Sequence, residues 1–289
     1  MTDAFIFLTR QPKKMRRLLS KFHEATQRAT NDFDFHICTY DEEMEQLATQ
    51  VSVGGQSFRH WIFGRKSAFS LGYPQKVNQK NWFLIPGNCD IPILAFFRSN
   101  GDYARYWVVE DDVDFSGDLT SLIDDLSKNR ADLQCSHVQR GWSGWTYNET
   151  LKTGMAEQVD PSETRLCFLP FFVISQQALS ALDTAYRNGW AGHHEQTWPT
   201  ILQNNDLTVL DIGGTGEFVE PEYIDRYYFG MAKQNRNKTG SFIPTPPRLF
   251  VGSKPNTLWH PVKPFGQWLS GTIRRWKSIA TYYLNRLKS

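Results

Sequence analysis

The stretch Tyr106–Gly117, YWVVEDDVDFSG, decides how the fold is read. It begins with one tyrosine, one tryptophan and two valines, the composition of a buried strand. The run ends abruptly in Glu110, Asp111 and Asp112, and Asp114 follows two positions later. Burying a carboxylate costs roughly several kcal/mol unless a positive group neutralises it. The stretch therefore predicts a strand whose carboxylates face a cation or a cationic side chain.

The residues upstream predict the sheet to which this strand belongs. Ala4–Thr9 and Phe35–Tyr40 have the composition of strands, and Lys13–Ala25 between them carries apolar residues at helical spacing. Asp41–Glu43 is predicted to open another helix, because acidic residues suit a helix N-terminus. Asp90–Ser99 is predicted to be a helix that leads into the acidic strand. Alternating strands and helices predict a mainly parallel sheet in an α/β domain.

The remaining chain adds further strands and long loops. Leu133–Val138 and the apolar run Leu166–Ser175 are predicted strands, and Gln176–Arg187 is a predicted helix. Ser52–Lys80 and Gly213–Pro255 are irregular and are predicted to form loops. Without a repeat or a linker, the sequence favours a single domain over residues 1–263.

Charge, cysteines and hydropathy narrow the function classes. The formal net charge of +2 over 289 residues gives no electrostatic argument for binding nucleic acid. The four cysteines show no CxxC or zinc-finger spacing, which indicates reduced thiols in a cytosolic protein. No secretory signal is evident, and no apolar run approaches the ~20 residues that span a bilayer. The protein is therefore expected in the cytoplasm.

The last segment, residues 264–289, is predicted to form a basic amphipathic helix. Its aromatic and aliphatic residues fall on one helical face, and its basic residues are not opposed by any acidic residue. Two interpretations stay open. The helix attaches to an anionic surface on the inner face of the cytoplasmic membrane, or it packs its apolar face on the domain.

The acidic cluster itself indicates a metal site. Carboxylates at the C-terminal end of a parallel strand lie where α/β sheets bind their ligands. Hard oxygen ligands on a short loop suit Mg²⁺ or Mn²⁺, which in turn bind substrate phosphates. A solvated acidic loop is the alternative, although it does not explain the apolar run that precedes Glu110.

At this point the sequence resembles a known family. YWVVEDDVDFSGD resembles the DxD-type motif of GT-A-fold glycosyltransferases, and NCDIPILAFFRSNGDYARYWVVEDDV looks like the DUF3405-type glycosyltransferase-like group. The resemblance implies a GT-A-like (Rossmann-like) fold and Mn²⁺ or Mg²⁺ on a nucleotide-sugar diphosphate. The metal ligands it implies are Asp112 with Glu110 or Asp114, completed by His260. Glu195 fits the later acidic residue that deprotonates the acceptor hydroxyl.

The same resemblance suggests residues that contact the substrates. Each has a structural alternative, namely a solvated helix face, a helix cap or ordinary packing. Donor-binding candidates are Arg10, Asp111 and Lys263, and acceptor-binding candidates are Trp142, Trp145 and His194.

The expected function is sugar transfer from a nucleotide-sugar to a hydroxyl of a glycan or lipid-linked acceptor, in surface polysaccharide or lipopolysaccharide synthesis. Two other classes stay open. One is a catalytically silent carbohydrate-binding or scaffold protein. The other is a metal-dependent nucleotidyltransferase or hydrolase, which also needs clustered carboxylates.

Overall fold

A computed structural model describes residues 2–41, 43–77, 89–154, 159–230, 240–244, 246–270 and 273. Within these residues no helix has the length and apolar character needed to cross a bilayer. Residues 265–270 are helical, while the predicted C-terminal helix from residue 274 onward lies outside the described residues.

A mixed eight-stranded sheet forms the centre of the fold. The strands of the chain are β1 (Asp3–Leu8), β2 (Phe33–Tyr40), β3 (Gln46–Val53), β4 (Gln56–Phe63), β5 (Arg105–Glu110), β6 (Asp114–Phe115), β7 (Leu133–Arg140), β8 (Lys152–Thr153), β9 (Arg165–Ser175), β10 (Trp190–Ala191), β11 (Val209–Asp211) and β12 (Leu258–Trp259). The central sheet has the order β11-β7-β9-β5-β1-β2-β4-β3, in which β3 and β9 run against the others. The two-residue strands pair as β10 with β8 and β12 with β6. The predicted α/β class with a mainly parallel sheet is confirmed.

Helices cover both faces of the sheet. They are α1 (Arg16–Arg28), α2 (Arg65–Ser70), α3 (Asp90–Ser99), α4 (Leu119–Lys128), α5 (Gln176–Arg187) and α6 (His194–Asn204). Side chains alternate across each strand, so Ala4 and Ile6 pack with apolar residues of α3, α5 and α6, whereas Phe5 and Phe7 pack with those of α1 and α4. Each fully buried large apolar side chain stabilises the fold by about 1.5–3 kcal/mol.

One predicted helix is wrong. The chain after Asp41–Glu43 forms no helix but the antiparallel hairpin β3–β4, so Ser52–Lys80 is also less irregular than predicted. The hairpin turns at Gly54 and Gly55, whose φ angles are +62° and +88°. Glycine adopts this backbone region without a steric penalty, and Val-Gly-Gly-Gln is a hairpin signal that outweighs the acidic residues before it.

Candidate metal and acidic site

Glu110, Asp112 and His260 come together at the end of β5. Glu110 is the last residue of that strand, and Asp112 lies in the turn closed by the hydrogen bond from the Val113 amide to the Glu110 carbonyl, 3.1 Å long. One ligand atom from each of the three side chains lies within 4.8 Å of the others. The Nε2 atom of His260 is 3.2 Å from Asp112 Oδ1 and 3.9 Å from Glu110 Oε2. These residues are 148 positions apart in the sequence at most, the span between Asp112 and His260.

The pairing of β12 with β6 brings His260 to the carboxylates. Trp259 lies opposite Asp114, and the Val262 amide donates to the Asp112 carbonyl at 2.7 Å. The Nδ1 atom of His260 is 2.8 Å from the Ile243 carbonyl. A carbonyl only accepts hydrogen bonds, so Nδ1 carries the proton and Nε2 faces the carboxylates. This is how proteins orient a histidine that binds a metal through its other nitrogen.

The charges in this group are strongly coupled. Burial raises the pKa of Asp112, but His260 and Lys263 outweigh burial and hold the pKa well below its usual range. Burial and the neighbouring Asp112 raise the pKa of Glu110 to about 7. Burial lowers the pKa of His260, yet Asp112 and Glu110 raise it above its ordinary value overall. The opening question is thus answered for Asp112: its positive partners in the chain are His260 and Lys263.

The donor set fits a divalent cation. Asp112 Oδ1 is buried and has no hydrogen bond from the described residues, even though His260 Nε2 is close to it. Two carboxylates and one imidazole are ligands that Mn²⁺ accepts readily, and Mg²⁺ favours the oxygens. A cation here would also relieve the repulsion that raises the pKa of Glu110.

The structure does not bring Asp114 to this group. Arg17 and Lys21 of α1 each approach a different carboxylate oxygen of Asp114 at 2.7 Å. The Phe115 amide also donates to Asp114 at 2.8 Å. Both oxygens are therefore committed to α1 and to the backbone. Of the two registers that the sequence offers, the arrangement favours Glu110 with Asp112 over Asp112 with Asp114.

Glu195 lies in the first turn of α6, and its side chain is 18% exposed. The imidazole of His193 caps the helix by accepting from the Glu195 amide. Burial, together with the charge of Glu110, raises the pKa of Glu195 to about 8. This electrostatic coupling indicates that Glu195 faces the same region as Glu110. A carboxylate with a pKa near neutrality is a stronger base than an ordinary one.

Aromatic side chains continue from the start of α6. Tyr147 stacks on His193 with ring centres 4.3 Å apart, and Trp145 meets the same ring edge-on at 5.5 Å. His194 is buried, and its Nε2 atom lies 3.2 Å from the Cys89 sulfur. Burial holds the pKa of His194 well below its ordinary value, so the ring is neutral. Trp145 and His194 thus belong to the surroundings of Glu195.

The other predicted substrate residues are more spread out. Lys263 forms a close ion pair with Asp112. Asp111 accepts a hydrogen bond of 2.6 Å from the Thr9 hydroxyl, at the end of β1. Arg10 is exposed and lies over the Tyr40 ring, 5.9 Å from its centre. Trp142 is half-buried, and its carbonyl accepts from the Asn148 side chain.

Sequence reasoning missed the side chains that support these residues. Thr9, Lys21, Lys76 and Cys89 carry no motif, and each acquires its role through a partner more than 90 positions away: Asp111, Asp114, Gly192 and His194.

The fold and the site together define an α/β protein with a carboxylate–histidine group at the C-terminal end of a central strand. No protein-family model and no curated protein matches the sequence. Among solved structures, an active-site mutant of LgtC is 14% identical, with a TM-score of 0.38, covering 78% of this chain and 82% of that one. Mouse xyloside xylosyltransferase 1, in its apo form, is 8% identical with a TM-score of 0.39, covering 74% and 86%. A putative glucose-1-phosphate thymidylyltransferase from Bacillus anthracis is 10% identical with a TM-score of 0.37, covering 73% and 87%.

Proposed function

We propose that the protein is a metal-dependent glycosyltransferase that moves a sugar from a nucleotide-sugar donor to a hydroxyl of a glycan or lipid-linked acceptor. The observation that carries this proposal is the group Glu110, Asp112 and His260 at the end of β5. Ligand sites of α/β sheets lie at this edge. The resemblance of the surrounding sequence to GT-A enzymes and to the DUF3405-type group supports the same assignment.

The donor side would be built on the acidic turn. Glu110, Asp112 and His260 would hold Mn²⁺ or Mg²⁺, which when bound supplies positive charge to the departing diphosphate. Lys263 adds a second positive charge beside Asp112 and is only partly buried, so its ammonium group can contact a phosphate. Asp111, held by Thr9, and the exposed Arg10 complete the donor side.

The acceptor side would be built on α6 and the aromatic cluster before it. Glu195 takes the proton of the acceptor hydroxyl as that oxygen attacks the sugar carbon, if the reaction inverts configuration. Its pKa of about 8 suits this step near neutral pH. Trp145 and Trp142 offer ring faces for a sugar, and the neutral His194 offers a polar contact.

The C-terminal segment supports a membrane-bound acceptor and a peripheral location on the inner face of the cytoplasmic membrane. Phe265, Leu269 and Ile273 are 62%, 41% and 46% exposed and recur every four residues. The basic residues from Arg274 onward are not opposed by any acid up to residue 289. Such a segment binds anionic lipid by burying its apolar stripe. A lipid-linked precursor of a surface polysaccharide or lipopolysaccharide fits this location.

The activity is tested by incubating the protein with UDP-, GDP- and CMP-sugars and Mn²⁺ and identifying the products. The proposal predicts release of a nucleoside diphosphate or monophosphate that is lost in Asp112→Asn. Asp114→Asn is the matched control and should retain it, since Asp114 is paired with Arg17 and Lys21. Release of pyrophosphate from a nucleoside triphosphate and a sugar phosphate would indicate a nucleotidyltransferase. Binding of glycans without any turnover would indicate the silent carbohydrate-binding protein.

The membrane proposal has its own test. Sedimentation with phosphatidylglycerol vesicles should capture the protein, and phosphatidylcholine vesicles should not. The double variant Phe265→Ser and Leu269→Ser should remain soluble under both conditions. Equal behaviour of the variant and the natural protein would favour packing of this segment on the domain.

A further inference from the structure

A buried ion pair lies beneath the turn that leads into α6. Lys76 Nζ is 2.8 Å from Asp90 Oδ2, and the two side chains are 1% and 0% exposed. A buried pair of this kind is often no more stabilising than two apolar side chains of the same volume, because both charges lose their hydration. Its stability contribution alone therefore does not account for it.

Lys76 makes a second contact that an apolar side chain cannot make. Its ammonium group donates a hydrogen bond to the carbonyl of Gly192. Gly192 has a φ angle of +134°, and a Cβ there would lie 3.0 Å from Leu151 Cα and 3.1 Å from the Thr150 carbonyl. The turn is therefore tightly packed as well as bonded. His193, the cap of α6, follows directly.

Asp90 reaches the same helix from the other side. Tyr186 donates to Asp90 Oδ2 at 3.0 Å, and its hydroxyl is also 2.7 Å from the Thr197 hydroxyl. Thr197 lies in α6, and its amide donates to the His193 carbonyl at 3.0 Å. The ion pair thus holds the first turn of α6 at two points, the Gly192 carbonyl and the Thr197 side chain.

We propose that Lys76 is a positioning residue which, with Asp90, holds the first turn of α6 so that Glu195 faces the Glu110–Asp112–His260 group. The role of Glu195 as the base rests on the proposed function. The geometric claim does not, because it concerns only the placement of the helix turn. The thiol of Cys89, next to Asp90 in the chain, reports on this placement through its contact with His194.

The test is the double variant Lys76→Met and Asp90→Asn. Neither replacement leaves an unpaired buried charge, and asparagine keeps an acceptor for the Tyr186 hydroxyl, so the variant is expected to fold. Only the bond to Gly192 and the ion pair itself are lost. We expect Cys89 to react with dithionitrobenzoate at least about fivefold faster, because the first turn of α6 opens locally more often. We expect kcat to fall about 10- to 100-fold with little change in the KM of the donor, since the base is misplaced.

The labelling signal is assigned by its controls. The three other cysteines, Cys38, Cys135 and Cys167, are buried, and Cys89→Ala should abolish the fast phase. A matched ion pair is Arg98 with Asp183, 2.8 Å apart, which also accepts from a tyrosine but joins α3 to α5. The variant Arg98→Met and Asp183→Asn should leave Cys89 labelling unchanged.

Two outcomes overturn the proposal, namely unchanged labelling in the folded Lys76 variant, or an equal rise in the Arg98 variant. If no sugar transfer is found, the proposed function fails, while the labelling still decides the positioning claim. If the Lys76 variant does not fold, Thr197→Val replaces it. That change removes only the link to Tyr186, and it should raise Cys89 labelling in the same direction by a smaller factor; no rise would overturn the proposal.

Discussion

Replacing Glu195 with glutamine should make the protein more stable at neutral pH and less active. The pKa of Glu195 is raised from 4.5 to about 8 by burial and by Glu110. Between these two values the folded protein binds a proton that the unfolded chain has lost, so the natural protein becomes less stable as the pH rises. Glutamine keeps the shape of the protonated acid and has no such pH dependence.

The size of the effect follows from the two pKa values. Each pH unit between them costs the natural protein about 1.4 kcal/mol. Glu195→Gln should therefore gain less than about 1 kcal/mol at pH 5 and up to about 3 kcal/mol at pH 7 in its free energy of unfolding. The gain should stop growing above the folded pKa of about 8.

The assay is urea denaturation of both proteins at pH 5 and pH 7 in the presence of a chelator, since a bound cation would lower the pKa of Glu195 and shrink the effect. Sugar transfer by the variant should be lost at both pH values. A stability difference that is the same at pH 5 and pH 7 would refute the reasoning, because the buried carboxyl would then titrate normally. A variant less stable than the natural protein at pH 7 would refute it as well.

Three further predictions follow from the placement of the charges. Mn²⁺ at 100 times its dissociation constant should stabilise the protein by about 2.7 kcal/mol, which for a chain of this size raises Tm by roughly 5–10 °C, and a chelator should reverse the rise in a thermal melt. His260→Ala should weaken Mn²⁺ binding at least about tenfold in a calorimetric titration, and an unchanged affinity would remove His260 from the metal site. Asp114→Asn should cost about 2 kcal/mol in urea denaturation through its lost bonds to Arg17 and Lys21, yet keep the full Mn²⁺-induced rise in Tm; loss of that rise would return Asp114 to the metal site.

Local patterns predicted most of the fold. The helices Asp90–Ser99 and Gln176–Arg187 have the predicted bounds, and the apolar run Leu166–Ser175 is a central buried strand. These segments are decided by periodicity and by residues that start or end them, which act over one or two turns. The hairpin after Asp41 was missed because the acidic residues were weighed as a helix start, while the turn at Gly54 and Gly55 lies farther along.

The site was predictable only in part, for a physical reason. The acidic turn is a local signal, and the strand before it points it inward. The choice between Glu110 and Asp114 as the partner of Asp112 depends on which cations pack against them, and Arg17 reaches Asp114 only because α1 lies on that face of the sheet. The Lys76–Asp90 pair depends on tertiary packing in the same way, and neither residue carries a motif.

The most direct test of the central claim is calorimetric titration of UDP, GDP, CDP and CMP into the natural protein and into Asp112→Ala, each with and without Mn²⁺. The account predicts that one nucleotide binds the natural protein in the presence of Mn²⁺ and that this binding disappears in the variant, which must still unfold cooperatively. Folded natural protein that binds none of the four nucleotides, or an Asp112→Ala variant that binds as tightly as the natural protein, would contradict a metal-dependent nucleotide-sugar site at the end of β5.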